Sequence, residues 1–255
     1  MIKGSSDKRI VAFIDIFGFK GHISDATSRY EDGDTGGLSN LKALKATLLR
    51  QADDVSEQAP HEDWKISMFS DCVVISVKFD QASAVFFILL RLTWLLGDVL
   101  DNGFLVRGGV SLGRLHHDGE IIFGDGLIKA YEVESQTAFF PRVIVDIEVI
   151  KLCIDFPATH HSPKDELDYV AGLLKEDSVD GKAYLDILAG IESEIADFDI
   201  YHRMLKNVRD AIISMQKAAK KTEEKIKVAW LVDYFNNNLS RFDRRRKHIR
   251  SLLIK

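Results

Sequence analysis

Two apolar runs, WKISMF (64–69) and CVVISVKF (72–79), are separated only by Ser70 and Asp71. A two-residue polar break between runs of strand length reads as a β-hairpin. The run at 9–16, RIVAFIDI, is a third strand by length and β-branched content. Residues 20–37, KGHISDATSRYEDGDTGG, are polar and glycine-rich and read as a loop. Leu38, Leu41, Leu44 and Leu48 recur at helical spacing, which predicts a helix over 38–58 closed by Pro60. A strongly apolar helix over 82–101 and a strand over 104–113 follow.

The order to residue 113 is therefore β-α-β-β-α-β. It predicts an α+β fold with a ferredoxin-like core, an antiparallel-dominated sheet and helices on one face. Strands at 120–124 and 142–150 and a helix over 125–137 extend that core. Residues 155–186 mix loops and short elements, and HH of THHSP falls in a surface turn. Residues 187–239 read as helical, and RFDRRRKHIRSLLIK reads as a basic terminal helix. We expect a core over 1–155 and a mainly helical C-terminal part over 156–255 packed on it.

Composition narrows the function class. The chain has 255 residues, 46% hydrophobic and 29% charged, enough for one large domain or one domain with an extension. A net charge of −5 argues against non-specific binding to nucleic acid or anionic lipid. Arg91 and Asp98 interrupt the most hydrophobic run, ASAVFFILLRLTWLLGDVL (82–100), so it reads as a buried helix and not a membrane span. Being apolar almost all round, it should be covered on two sides, by its own chain or in a dimer. Cys72 and Cys153 lie in apolar runs without metal-type spacing and read as buried free thiols of a reducing compartment. MIKGSSDKRI has no apolar leader core, and the expected location is cytoplasmic.

One residue breaks the first strand. Asp15 interrupts VAFIDIFGF, and a carboxylate in an apolar strand costs several kcal/mol unless a cation or strong donors meet it. In a β-α-β-β-α-β sheet, Asp15 ends the first strand and Asp71 tips the neighbouring hairpin, so both can converge on one point. Two such carboxylates repel unless a cation separates them. Mg2+ or Mn2+ suits all-oxygen sites and bridges carboxylates to phosphates. Gly18 and Gly21 let backbone approach a ligand, and the amides of Phe17, Gly18 and Phe19 are placed to face phosphate oxygens. The plainer alternative is an Asp15–Arg pair beside an ordinary glycine turn.

FIDIFGF, FSDCVVIS, VRGGVSLG and IFGDGLIKAYEVE, in that order, resemble the class III nucleotidyl cyclase catalytic domain over roughly residues 9–150. More narrowly, they resemble the Pycsar-type bacterial cyclases that make cyclic UMP or cyclic CMP in anti-phage signalling. The resemblance implies two Mg2+ or Mn2+ ions held by Asp15, Asp71 and the Ile16 carbonyl. It implies in-line attack of a ribose 3′-hydroxyl on the α-phosphate, with pyrophosphate leaving. It also implies a homodimer with sites across the interface, and an effector that responds to the cyclic product.

Departures from the family matter as much. The lysine that reads adenine in purine cyclases is Ser67 here, and a second base-reading carboxylate aligns with Ile121. The family's asparagine and arginine align with Ile128 and Glu132. The adenine donor set is absent. A pyrimidine base with UTP ahead of CTP, a guanylate cyclase, or a catalytically silent nucleotide-sensing or dimerising module are the remaining readings. Lys65, Ser67 and Phe69 share one strand face, where Lys65 is either a uracil donor or a solvated lysine. Arg107, Arg142 and, below them, Lys129 are the replacement cations for phosphate, or members of ordinary ion pairs. HHDGE (116–120) reads as a turn, RRRKH (244–248) as a solvated face, and Trp230, Tyr234 and Phe235 as core. Lys225 and Lys227 are remote candidates for a triphosphate.

Overall fold

The computed structural model describes residues 7–53, 63–118, 121–195, 197–241 and 251–254. The first strand, β1 (Asp7–Ile16), alternates cleanly. Ile10, Ala12, Ile14 and Ile16 face the main core, while Val11 belongs to a smaller cluster on the opposite face that Phe13 packs against. Asp15 is in phase with Val11 and Phe13, so it lies on that second face.

The stretch expected as a loop is a helix, α1 (Phe19–Glu31), followed by α2 (Gly36–Asp53). Its polarity hid a helical phase: Phe19, Ile23, Ala26 and Tyr30 share one side. Only Ala26 of these is fully buried, since Ile23 and Tyr30 remain exposed. Gly37 lets α2 ride directly over it, because a Cβ there would stand 2.7 Å from the Ala26 Cα. Gly33, at φ +84°, turns the chain between the two helices. The end expected for α2 at Pro60 lies outside the described residues.

The hairpin forms as expected, from β2 (Lys65–Phe69) and β3 (Cys72–Lys78), with Phe69 opposite Cys72. Helix α3 (Ala84–Asp101) then leads to β4 (Val106–His117). The sheet order is β2-β3-β1-β4, antiparallel throughout, which is the ferredoxin-like arrangement. A short β5 (Ile122–Phe123) pairs with the end of β4, and β6 (Val143–Val145) adds in parallel. The strand expected over 142–150 stops at Val145, because Asp146 caps a new helix, α5 (Ile147–Leu152), accepting from the Glu148 amide.

Helices lie on both faces, not one. Helix α4 (Asp125–Glu132) covers the Asp15 side of β4 and β1, and its last turn widens into a π-turn (Val133–Thr137). Glycines on β4 let α4 sit on bare backbone: a Cβ at Gly113 would meet the Gly126 Cα at 2.5 Å. Gly113→Ala should therefore cost about 1–3 kcal/mol, read as a lower urea midpoint, by the overpacking argument. An unchanged midpoint would show that α4 does not press on that strand.

The C-terminal part extends the same sheet. After α6 (Pro163–Gly172), β7 (Leu174–Glu176) and β8 (Ala183–Leu185) form a second hairpin, with β8 paired to β6. Helices α7 (Ile187–Glu194), α8 (Phe198–Ala218) and α9 (Thr222–Ser240) follow. The two apolar sides of α3 are covered within the chain, by the sheet on one side and by α7 and α8 on the other. Gly97 against Ile191 and Gly190 against Thr93 bring α3 and α7 into direct contact. That helix thus gives no support for a dimer. Arg91, at its centre, lies over the Trp64 ring at 4.8 Å. No helix among the described residues is long and apolar enough to cross a membrane.

Candidate metal and nucleotide site

Asp15 ends β1 between two neighbours, opposite Cys72 of β3 and Arg107 of β4. Ser70 takes the left-handed conformation at φ 56°, which closes the β2–β3 turn in two residues. The Ile16 amide donates to the Asp71 carbonyl at 3.1 Å, tying the hairpin tip to the end of β1. One ligand atom each from Asp15, Asp71 and Cys72 then lies within 4.8 Å of the others. The expected convergence of the two carboxylates is present.

The electrostatics suit a cation. Burial holds the Asp15 carboxyl above its usual range; Arg107 opposes that, and the nearby Asp71 adds to it. The Cys72 thiol is pushed up to about 12 by burial and by Asp15 and Asp71. It therefore stays protonated and lies 3.7 Å from an Asp15 oxygen as a weak donor. Arg107 Nη2 lies 3.8 Å from Asp15 and also pairs with Glu134, a buried residue of the π-turn. Burial raises the Glu134 carboxyl and Arg107 lowers it. Asp15 thus faces an arginine and a second carboxylate at once. Glu134 was not singled out from the sequence. Nothing in YEVESQT separates it from Glu132, because the π-turn changes which residue points inward.

The other expected residues divide. Lys65, Ser67 and Phe69 lie on the Asp15 face of the hairpin, Phe69 beside Cys72. Gly18, at φ +74°, precedes α1, and Phe19 and Lys20 are its first residues, whose amides have no intrahelical acceptor by position. The Phe17 amide is a correction: it donates to the Leu105 carbonyl at 2.8 Å and closes the β1–β4 edge. Arg142 is another. It is buried, bound to Asp177 and Asp180, and lies over the rings of Phe140, Tyr184 and Trp230 at 5.2, 5.5 and 5.7 Å. A guanidinium so enclosed is a structural pin. Lys129 donates to the Leu112 carbonyl at 3.3 Å, five strand residues from Arg107, so it does not join the Asp15 cluster of its own chain. Lys227 pairs with Glu223 at 2.8 Å, and Phe235 is fully buried.

The turn expected over HHDGE begins only at Asp118, which accepts from the Ile121 amide at 2.8 Å, because His116 and His117 are still paired in β4 opposite Phe123 and Ile122; Gly119 and Glu120 lie outside the described residues, as does RRRKH. His117 behaves differently from its neighbour. The end of β4 curls over the sheet, and the buried His117 ring meets Ser67 Oγ at 3.1 Å and Ser76 Oγ at 2.8 Å. Burial, with Arg9 and Lys65 nearby, lowers its pKa to about 4. An unfolded histidine titrates near 6.5. Between those values the unfolded chain binds the extra proton, so stability falls as pH drops from 6.5 towards 4, by on the order of 3 kcal/mol in full. His117→Gln should flatten the urea midpoint between pH 7 and pH 5 relative to the wild type. An equally steep loss in the variant would assign the effect elsewhere.

A groove of about 1050 Å³ runs between α1 and the α8–α9 hairpin, lined by Phe17, Gly18, Phe104, Met215 and Val228 among others. Asp15 and Asp71 do not line it, and the carboxylate pair sits on the more open face of the sheet.

No protein-family profile and no curated protein matches the chain. Among solved structures, the chain resembles the adenylyl cyclase CyaB from P. aeruginosa at 15% identity and a TM-score of 0.41, over 70% of this chain and 92% of that one. The catalytic core of a rhodopsin-guanylyl cyclase with converted specificity gives 15% identity and a TM-score of 0.38, over 71% and 94%. A bacterial light-regulated adenylyl cyclase gives 15% and 0.39, and there the chain spans 58% of itself and only 45% of the other protein. The likeness to cyclase catalytic cores is thus one of partial outline at low identity.

Proposed function

We propose that the chain is a nucleotide cyclase, acting on a pyrimidine nucleoside triphosphate with UTP ahead of CTP. The observation that carries this reading is the meeting of Asp15 and Asp71 beside Arg107, at the open end of α1. The donor set fits Mg2+ or Mn2+: one carboxylate at the end of β1 and one in the β2–β3 turn, with the Ile16 carbonyl next to the first. Two such ions, when bound, would supply the positive charge that favours ionisation of the ribose 3′-hydroxyl and offsets charge on the phosphates.

The chain's own residues supply position and charge. Asp15 and Asp71 fix the ion site. Arg107, steadied by Glu134, offers donors to phosphate oxygens, and the Gly18–Phe19 start of α1 offers amides and a helix dipole. Ser67 and Lys65 lie on the same face for the base. The 3′-oxygen bonds to the α-phosphorus, the bond from that phosphorus to the pyrophosphate oxygen breaks, and the hydroxyl proton passes to solvent. The products are a 3′,5′-cyclic nucleotide and pyrophosphate.

In this reading residues 1–155 are the catalytic core, residues 156–255 brace it, and the chain works as a cytoplasmic homodimer. Lys129 would serve only across such an interface. The cyclic product addresses a cyclic-nucleotide-responsive effector, in anti-phage signalling. A silent dimerising module is the second reading, favoured by the exposed Ile128 and Tyr131 on α4, at and near the position where a catalytic asparagine is expected. Incubating the purified chain with Mn2+ and each of four ribonucleoside triphosphates, then weighing any cyclic product by mass spectrometry, separates them. Cyclic UMP supports the first reading, and no product from any of the four supports the second.

A further inference from the structure

Helix α8 grips the far end of α3. Asp101 is the last residue of α3, and its carbonyl has no donor by position within its own helix. Asn207 Nδ2 donates to that carbonyl at 2.7 Å and to Asp101 Oδ1 at 3.0 Å. Arg203, one turn earlier on α8, pairs with Asp101 Oδ2 at 3.1 Å.

The chain between Asp101 and β4 has little slack. The Asn102 amide donates to the Asp98 carbonyl at 3.2 Å. Gly103 turns at φ +79°, with its amide on the Leu100 carbonyl at 2.9 Å, and the Phe104 amide meets the Val99 carbonyl at 3.2 Å. Phe104 and Leu105 are buried in the main core. Leu105 then offers its carbonyl to the Phe17 amide at 2.8 Å, and Phe17 is the last residue before Gly18 and the start of α1. The end of β1 is thus held from two sides by different parts of the chain. The Ile16 amide is tied to Asp71 of the hairpin, whereas the Phe17 amide is tied through Leu105 and Asp101 to α8.

We infer that Asn207 and Asp101 are positioning residues for the loop that opens α1. Through them the C-terminal helices set how well the first amides of α1 meet phosphate. The phosphate in this inference rests on the nucleotide reading above, whereas the tie from α8 to Phe17 does not. What carries the tie is an unbroken run of hydrogen bonds and buried chain, and its energetic coupling is the quantity to measure.

Two measurements on the full chain test it, each on the wild type, Asn207→Leu and Asn207→Ala. The first is amide hydrogen exchange resolved by residue. Loss of the Asn207 bonds should speed exchange at Phe17 at least about fivefold and leave its neighbour Ile16 within about twofold. Unchanged exchange at Phe17 overturns the tie. Equal acceleration at both amides means general fraying and overturns it too. The second is calorimetric binding of inorganic tripolyphosphate with Mg2+, set beside Mn2+ binding without phosphate. Both variants should bind tripolyphosphate at least about fivefold more weakly, yet bind Mn2+ within about twofold of the wild type, because Asp15 and Asp71 keep their places. Faster exchange at Phe17 with unchanged tripolyphosphate affinity overturns the positioning role. Parallel loss of Mn2+ and tripolyphosphate means that the whole site has given way, and overturns it as well. No tripolyphosphate binding by the wild type removes the nucleotide reading, and this inference with it.

Discussion

Asp71→Asn should reduce metal-dependent pyrophosphate release by at least about 10²-fold, with the fold intact. The reason is local. Asp71 is held at the hairpin tip by backbone, through the Ile16 amide and the Ser70 turn, and its carboxylate braces nothing else among the described contacts except the Cys72 thiol at 3.9 Å. Asparagine keeps the shape and removes the charge. Loss of one pre-organised group that offsets transition-state charge costs about 10²–10³ in rate. The same change relieves repulsion at Asp15, whose carboxyl Asp71 helps to raise. The melting temperature should hold or rise by about 2–4 °C, the equivalent of about 1 kcal/mol in a chain of this size. Turnover at the wild-type rate would remove the paired-carboxylate account, and a collapse of the fold would show that Asp71 is structural.

Arg142→Ala should have the largest effect on stability, about 3–5 kcal/mol, with the buried Asp177 left without its cation. Three elements meet on this guanidinium. It starts β6, binds Asp177 and Asp180 in the β7–β8 turn, and lies under Trp230 of α9. Trp230 itself donates to Asp177 at 2.7 Å. Removing Arg142 therefore loosens the junction between the sheet and the C-terminal helices. Arg142→Met with Asp177→Asn should recover much of the loss, because the buried unpaired charge goes with the second change. Urea midpoints of the wild type and both variants decide this. A single variant within about 1 kcal/mol of the wild type would mean the pin carries little.

The sequence made the scaffold legible where apolar period and turn chemistry agreed. The two-residue break at Ser70-Asp71 set the hairpin, the strand carrying Asp15 set its neighbour, and together they placed two carboxylates at one end of the sheet. Helix α1 was hidden because His22, Ser24 and Arg29 outweighed a side on which only Ala26 is buried. Its packing depends on Gly37 fitting over Ala26, a tertiary contact with no local pattern. Arg107 and Arg142 looked alike as cations near glycine or proline. What separates them is enclosure, one half-open beside Asp15 and the other roofed by aromatic rings. His117 was read with His116 as part of a turn. Its phase with Leu115 gives the correct face, but the curl of β4 that carries it to Ser67 and Ser76 leaves no periodic signal.

The most direct measurement is Mn2+ binding, read as the loss of the free-ion electron paramagnetic resonance signal on titration with the wild type, Asp15→Asn and Asp71→Asn. If the two carboxylates share an ion, the wild type binds saturably and each variant at least about tenfold more weakly. Equal binding by all three proteins, or none by the wild type with or without UTP, would contradict that arrangement.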